Sequence, residues 1–309
     1  MTVSSILFYV RYGVLLLACI FLFQLVSSVG FSSFQETLRG LSWCWIAAAL
    51  LFVLGNFLIV TLRYRILVAT NSTFLEITYV TATSFLLNYA SMVQGLGMGA
   101  KVGLLKAREV PAAHSIAGIT LEVFLDVTCA LVLVFVLYRA YILDLLDSIS
   151  WFPAVIVFFG VPLLLVFIVK KYYLARWLST YSKQLAVVFE FNRGLKVVFS
   201  TICIWLVAGS SLFCVLRSFD AAGAPTLSLA LVAIAISFLV GSVSMVPGGI
   251  GVRELTMSYF LVENGVPVEV ATSAAVIYRL AAIFVGFMLL AFLSFQKKSE
   301  KITFKQSKD

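Results

Sequence analysis

Two pairs of ionisable residues stand inside otherwise apolar stretches of the sequence. In ITLEVFLDV, Glu122 and Asp126 are four residues apart and therefore share one face of a predicted helix. In AAVIYRLAA, Tyr278 and Arg279 lie at a comparable depth of a later apolar stretch. A charge at the centre of a bilayer costs roughly 3 kcal/mol or more. These residues must therefore find partners of opposite charge, protons or water.

Two glycine-rich segments bring further charges close to these stretches. SMVQGLGMGAK, at 91–101, ends in Lys101, and SMVPGGIGVRE, at 244–254, ends in Arg253 and Glu254. With one residue gapped the two segments align, and a Val-Pro pair and a long apolar stretch follow each. Proline and glycine both interrupt helices, so each segment predicts a turn. The predicted turn residues are Gly95, Gly97, Gly99, Pro247, Gly248, Gly249 and Gly251.

The charges allow more than one chemistry. Lys101, Arg253 and Arg279, near interrupted helix ends, suit a phosphate, whereas Glu122 and Asp126 suit a proton or a cationic headgroup. Alternatively, the carboxylates form structural salt bridges with those three cations. The residue types leave these alternatives open. The candidate substrate-binding residues are Lys101, Glu122, Asp126, Arg253, Glu254, Tyr278 and Arg279.

The composition identifies the environment of these residues. The chain has 309 residues, of which 62% are hydrophobic and 12% are charged, and its mean hydropathy is +1.09. These values indicate an all-α integral membrane protein. A helix crosses about 30 Å of hydrocarbon with roughly 20 residues. Full spans are predicted near 9–29, 41–62, 112–137, 151–170, 197–218 and 268–295, and shorter apolar segments at 76–94 and 226–246 end in the two glycine-rich turns.

The distribution of lysine and arginine favours one topology. If all eight apolar segments crossed, the basic segment 170–196 would lie outside and the acidic segment 138–150 inside, against the positive-inside rule. If 76–109 and 226–265 each return to the face they entered from, most cations become cytoplasmic. These comprise five between residues 63 and 108, Arg63 included, six between 170 and 196, and five after 296. The sequence thus predicts six full spans, two re-entrant hairpins and cytoplasmic termini.

A turn at membrane depth carries a structural requirement. Non-helical backbone is tolerated there only where protein buries it or where it lines a wet cavity. Repeats of opposite orientation whose interrupted helices meet near the midplane are typical of alternating-access transporters. The sequence therefore predicts one membrane domain over 1–296, with inverted repeats at about 41–137 and 197–295, followed by a basic cytoplasmic tail at 297–309. The alternative is a chance similarity between two glycine-rich loops.

Several of these motifs resemble the lysylphosphatidylglycerol synthase transmembrane, or flippase-like, domain family. The resemblance covers about residues 10–295, and it implies a lipid-handling membrane domain. In two-part synthases this domain is thought to translocate aminoacylated phosphatidylglycerol between leaflets, and other members accompany polyprenyl-linked or hopanoid glycolipid pathways. The chain resembles a standalone member without the synthase domain, so aminoacyl transfer is not expected. The motifs are PGGIGVRE at 247–254, the glycine-rich break at 95–101, the Glu122 and Asp126 pair, and Tyr278-Arg279.

These features predict a lipid translocase rather than an enzyme. Its substrate would be a phospholipid or a polyprenyl-phosphate-linked glycolipid, moved between the leaflets of a bacterial inner membrane. No cofactor, metal or nucleic acid is expected, because the sequence has no nucleotide-binding loop, HExxH or CxxC motif. Membrane lipids are the expected partners, together with a separately encoded lipid-modifying enzyme or glycosyltransferase. The alternative is a membrane subunit or glycosyltransferase-type enzyme of a cell-envelope lipid pathway.

Overall fold

The described residues form eight α-helices. The computed structural model describes residues 40–68, 72–90, 95–138, 191–219, 225–244 and 247–306. The predicted spans at 9–29 and 151–170 lie outside the described residues. The helices are α1 (Trp43–Val68), α2 (Phe74–Ala90), α3 (Leu96–Lys106), α4 (Ala112–Leu137), α5 (Phe191–Arg217), α6 (Leu227–Val243), α7 (Val252–Glu263) and α8 (Val268–Gln306).

Four of these helices are long and apolar enough to cross a membrane. They are α1, α4, residues Asn192–Arg217 of α5 and residues Val268–Ser294 of α8. At 1.5 Å per residue, each extends about 39 Å. An all-α membrane protein is therefore confirmed for the described part of the chain, and these helices coincide with four predicted spans. Helix α8 continues to Gln306, into the predicted tail, because KKSEKITFKQ contains no proline or glycine to end it.

The remaining helices form two helix–turn–helix units at the predicted places. The first unit joins α2 to α3, and the second joins α6 to α7 through a short 3-10 turn at Pro247–Gly249. Helices α3 and α7 have 11 and 12 residues. They extend about 17 and 18 Å, which is too short to cross the hydrocarbon.

Glycine makes the turns possible. Gly95, Gly248, Gly249 and Gly251 all adopt positive φ angles, between 61° and 80°. A side chain disfavours this region of backbone conformation, so glycine is the residue that suits it.

Gly97 and Gly99 were wrongly predicted as turn residues, because both lie within α3. Gly97 has a packing role instead. The Ser84 hydroxyl of α2 donates a hydrogen bond of 2.7 Å to the Gly97 carbonyl, and a Cβ atom on Gly97 would lie only 2.3 Å from the Ser84 carbonyl oxygen. Small residues allow helices to approach this closely in membranes. Gly97 therefore sets the separation of α2 and α3.

Alanine at these two glycines should have opposite consequences. Gly97→Ala must push α2 and α3 apart and should destabilise the protein by about 1–3 kcal/mol, the usual cost of overpacking. Gly99→Ala is the matched control, because a Cβ atom there meets nothing within 4 Å and alanine favours helix. Thermal unfolding in detergent measures both. Equal unfolding temperatures for the two variants would contradict the packing role of Gly97.

The order and packing of the helices repeat along the chain. In both halves a long helix is followed by two short helices and a second long helix. Helix α2 of the first half packs on α8 of the second half, and α6 of the second half packs on α4 of the first. The two first long helices, α1 and α5, pack on each other. Each hairpin thus contacts a long helix of the opposite half, and the turn at Pro247–Gly249 also contacts α2 of the first hairpin.

Candidate substrate-binding site

Glu122 and Asp126, which are half-buried, form a cluster with two buried cations. The Arg63 guanidinium donates to both oxygens of Asp126, with Nη1–Oδ1 and Nη2–Oδ2 distances of 2.5 and 2.9 Å. Its Nη2 also lies 3.2 Å from Oε1 of Glu122, whose Oε2 accepts a 2.7 Å bond from Nζ of Lys101. Two-point bonds between arginine and a carboxylate are among the strongest ion pairs. The cluster ties α1, α3 and α4 together.

The topology prediction counted Arg63 among the cations on the cytoplasmic side, but the structure shows its side chain inside the helix bundle. Only 1% of its side chain is exposed, because α1 continues to Val68 and Arg63 faces the interior. Arg65, two residues later, is exposed. The signal in the sequence was the apolar segment after Arg65, since Ile66, Leu67 and Val68 extend the helix beyond both charges.

A second cluster holds the turn of the α6–α7 hairpin. The Arg279 guanidinium of α8 donates through Nη1 to Oε1 of Glu254 and through Nη2 to the Gly248 carbonyl, the latter at 2.9 Å. Oε2 of Glu254 accepts a bond of 2.7 Å from the Gly251 amide. Arg279 therefore pairs with Glu254 and not with Glu122 or Asp126, which was the predicted alternative. The side chains of this cluster fix a backbone that its glycines would leave free.

A cavity of about 370 Å³ separates the two clusters. Both carboxylates of the first cluster and both side chains of the second line it, as do Tyr278 and the neighbouring Arg253. Six of the seven predicted site residues therefore share one cavity, to which the structure adds Arg63. Lys101 does not line it. Its Nζ lies 3.5 Å from the centre of the Tyr64 ring and bonds to Glu122. Lys101 therefore acts on the cavity through that carboxylate.

A comparison with protein families supports the resemblance noted above. The family model described as lysylphosphatidylglycerol synthase TM region matches residues 10–289. The chain belongs to this family. No curated protein sequence matches the chain significantly. The family match includes both hairpins and both charge clusters, so the cavity lies entirely within the lysylphosphatidylglycerol synthase TM region.

Arg253 differs from the other cations of this family member's cavity. It forms no ion pair with any carboxylate in the described part of the chain, and its guanidinium carbon lies 5.2 Å from the centre of the Phe238 ring. Its Nε atom is buried without a hydrogen-bond partner. An arginine over an aromatic face keeps its donors at the guanidinium edge available. Arg253 is therefore the group best placed to bind an anion.

Proposed function

We propose that the protein is a lipid translocase that moves the headgroup of a phospholipid or polyprenyl-phosphate-linked glycolipid between leaflets. The observation that carries the proposal is a cavity lined by charged side chains, which lies among helices apolar enough to cross a membrane. Membership of a lipid-related membrane family supports the same class of substrate. A polar headgroup crosses the bilayer core at high cost unless polar groups replace its water.

The size of the cavity suits a headgroup rather than a whole lipid. Small-molecule sites usually measure about 300–1,000 Å³, and this cavity lies at the lower end of that range. The long tails would therefore remain in the surrounding hydrocarbon while the headgroup passes between the helices. This division requires a lateral opening, which we place between the hairpins and the long helices they pack on.

The two hairpins are the proposed gates. We infer that they are re-entrant, with the first opening to the cytoplasm and the second to the outside. An ion pair joins each hairpin to the long helix that follows it, Lys101 to Glu122 in the first and Glu254 to Arg279 in the second. Opening one hairpin at a time would expose the cavity to alternate sides. Since the sequence has no nucleotide-binding motif, transport would run downhill or use an ion gradient.

We propose this role in preference to a glycosyltransferase-type enzyme or a purely structural membrane subunit. The carboxylates that line the cavity each bond to a cation. Such pairing suits a charged binding surface better than acid–base catalysis, which needs a carboxylate able to exchange its proton. A separately encoded lipid-modifying enzyme remains the expected partner. The proposed location is a bacterial inner membrane, with both termini in the cytoplasm.

Blocking the cavity tests the proposal directly. Ala208 lines the cavity on α5, and Ile202 on the same helix is exposed on the outer surface. Ala208→Phe should fill the space of a headgroup and slow translocation in proteoliposomes about tenfold or more, the effect of roughly 1.4 kcal/mol on a barrier. Ile202→Phe should leave the rate unchanged. A leaflet-resolved assay with a panel of lipid headgroups measures both, and equal rates for the two variants would exclude the cavity as the path.

A further inference from the structure

We propose that the cavity selects a headgroup with a single negative charge, a phosphodiester, and that Arg253 binds its phosphate oxygens. This inference deepens the proposed function and rests on it for the identity of the ligand as a lipid. The proposed function does not distinguish phosphodiester lipids from phosphomonoester and pyrophosphate lipids. This inference does, because phosphodiesters carry one negative charge whereas the other two carry more.

The charge balance of the two clusters is the first argument. Three carboxylates, Glu122, Asp126 and Glu254, line the cavity. The described residues supply four cations. Three arginines line the cavity itself, and Lys101, which does not line it, bonds to Glu122. The ion pairs use Arg63, Lys101 and Arg279, which leaves Arg253 as the uncompensated charge. Arg253 is half-buried within the helix bundle, and a charge without a partner there is costly, so one negative charge on a ligand brings the site to neutrality.

The backbone around Arg253 is built to admit its side chain. A Cβ atom on Gly241 of α6 would lie 2.5 Å from Cγ of Arg253, and one on Gly249 of the turn would lie 2.7 Å from its Nε. Both distances are shorter than real Cβ contacts, so the stem of Arg253 occupies the space that two missing side chains leave. This explains a glycine in the last turn of α6, where alanine would favour the helix. The absence of side chains at these two glycines therefore leaves room for Arg253 to lie beside the cavity.

The chemistry of a guanidinium decides the ligand. Its planar arrangement of donors matches two oxygens of a phosphate, and such charge-assisted bonds are about twice as strong as neutral ones. Among the described residues that line the cavity, the two other cations are already paired with carboxylates, so a second negative charge on the ligand would have no cation of its own and would approach the carboxylate of Glu254. Like charges repel more strongly in a membrane-embedded cavity than in bulk water, because the surrounding dielectric constant is lower. A pyrophosphate or a phosphomonoester should therefore bind more weakly than a phosphodiester.

Equilibrium binding to the purified full chain in detergent tests this inference. The probes are phosphatidylglycerol and a polyprenyl-phosphate-linked hexose as phosphodiesters, phosphatidic acid and polyprenyl pyrophosphate as more highly charged lipids, and diacylglycerol as a neutral lipid. We expect at least one phosphodiester to bind about tenfold or more tightly than each of the other three probes. Comparison of the two phosphodiesters identifies the source of the headgroup. Tighter binding of the pyrophosphate, or no preference among the five probes, would overturn the inference.

Two kinds of variant show whether Arg253 carries this preference. Arg253→Gln removes the charge, whereas Gly241→Ala keeps the charge and displaces the side chain; both should weaken phosphodiester binding about tenfold or more and leave diacylglycerol unaffected. Gly103→Ala is the control, because a Cβ atom there meets nothing within 4 Å. Unchanged phosphodiester affinity in both Arg253→Gln and Gly241→Ala would overturn the inference. If the protein prefers phosphodiesters but does not translocate lipids, only the proposed function is wrong. If it translocates lipids without preferring phosphodiesters, only this inference is wrong.

Discussion

Replacing Arg63 by methionine should destabilise the protein by about 3–5 kcal/mol, the usual cost of removing one partner from a buried ion pair. The side chain of Arg63 is 1% exposed and bonds to two carboxylates. Its loss leaves Asp126 without the two bonds it receives from Arg63, and it leaves Glu122 with Lys101 alone. Thermal or chemical unfolding in detergent measures the change.

Arg65→Met is the matched control for this prediction. Arg65 lies on the same helix and is exposed, so its replacement should change stability by less than about 0.5 kcal/mol. A second variant, Arg63→Met with Asp126→Leu, removes both sides of the two-point bond and leaves the Lys101–Glu122 pair intact. It should recover most of the lost stability, because replacing a whole buried pair by apolar groups is often nearly neutral. If Arg63→Met unfolds at the same temperature as Arg65→Met, the cluster contributes nothing to the fold.

The long helices were predictable because their signal is local. About 20 consecutive apolar residues decide a membrane span, and the composition of 112–137 alone predicts α4 with its observed bounds. Helix ends were less predictable where a charge interrupts the apolar run. The predicted span at 41–62 stopped before Arg63, although the helix continues to Val68. A charge ends a hydropathy window, but it does not end a helix when a partner lies on the neighbouring helix.

The glycines also divide into predictable and unpredictable cases. Gly248, Gly249 and Gly251 have positive φ angles, as a turn signal predicts. Gly97 and Gly241 have other roles, since one admits the backbone of α2 and the other admits the side chain of Arg253. Sequence alone does not distinguish these roles, because the same residue type serves both close packing and a positive φ angle.

The partners of the charges were the least predictable feature. The spacing of Glu122 and Asp126 correctly placed them on one helical face. Lys101, one of three predicted partners, does pair with Glu122, but Arg63 was not among the three. Pairing depends on how helices distant in sequence pack, which no local pattern encodes. Arg253 and Glu254 illustrate this dependence. Consecutive helical residues point about 100° apart, so Glu254 reaches Arg279 while Arg253 lies over Phe238.

Loss of the Arg279 guanidinium should disable the second of the two proposed gates, the α6–α7 hairpin. Arg279 is 4% exposed and bridges Glu254 to the Gly248 carbonyl, so Arg279→Gln leaves a half-buried carboxylate without its cation and frees the turn. We expect translocation to fall about tenfold to a hundredfold, the effect of losing charged hydrogen bonds worth roughly 1.5–3 kcal/mol. Arg279→Lys keeps the charge but cannot span both partners with its single ammonium group, so its rate should lie between those of the wild type and Arg279→Gln.

Hydrogen exchange connects that loss of activity to the turn itself. The Gly251 amide bonds to Glu254, which Arg279 in turn holds in place. Exchange at residues 248–251 should therefore accelerate in Arg279→Gln, while exchange in the hairpin of α2 and α3 stays unchanged. Arg217→Gln, at the exposed end of α5, is the control for removing an arginine elsewhere. Slow exchange at 248–251 in Arg279→Gln, together with a normal translocation rate, would show that the turn holds its shape without this bridge and that gating lies elsewhere.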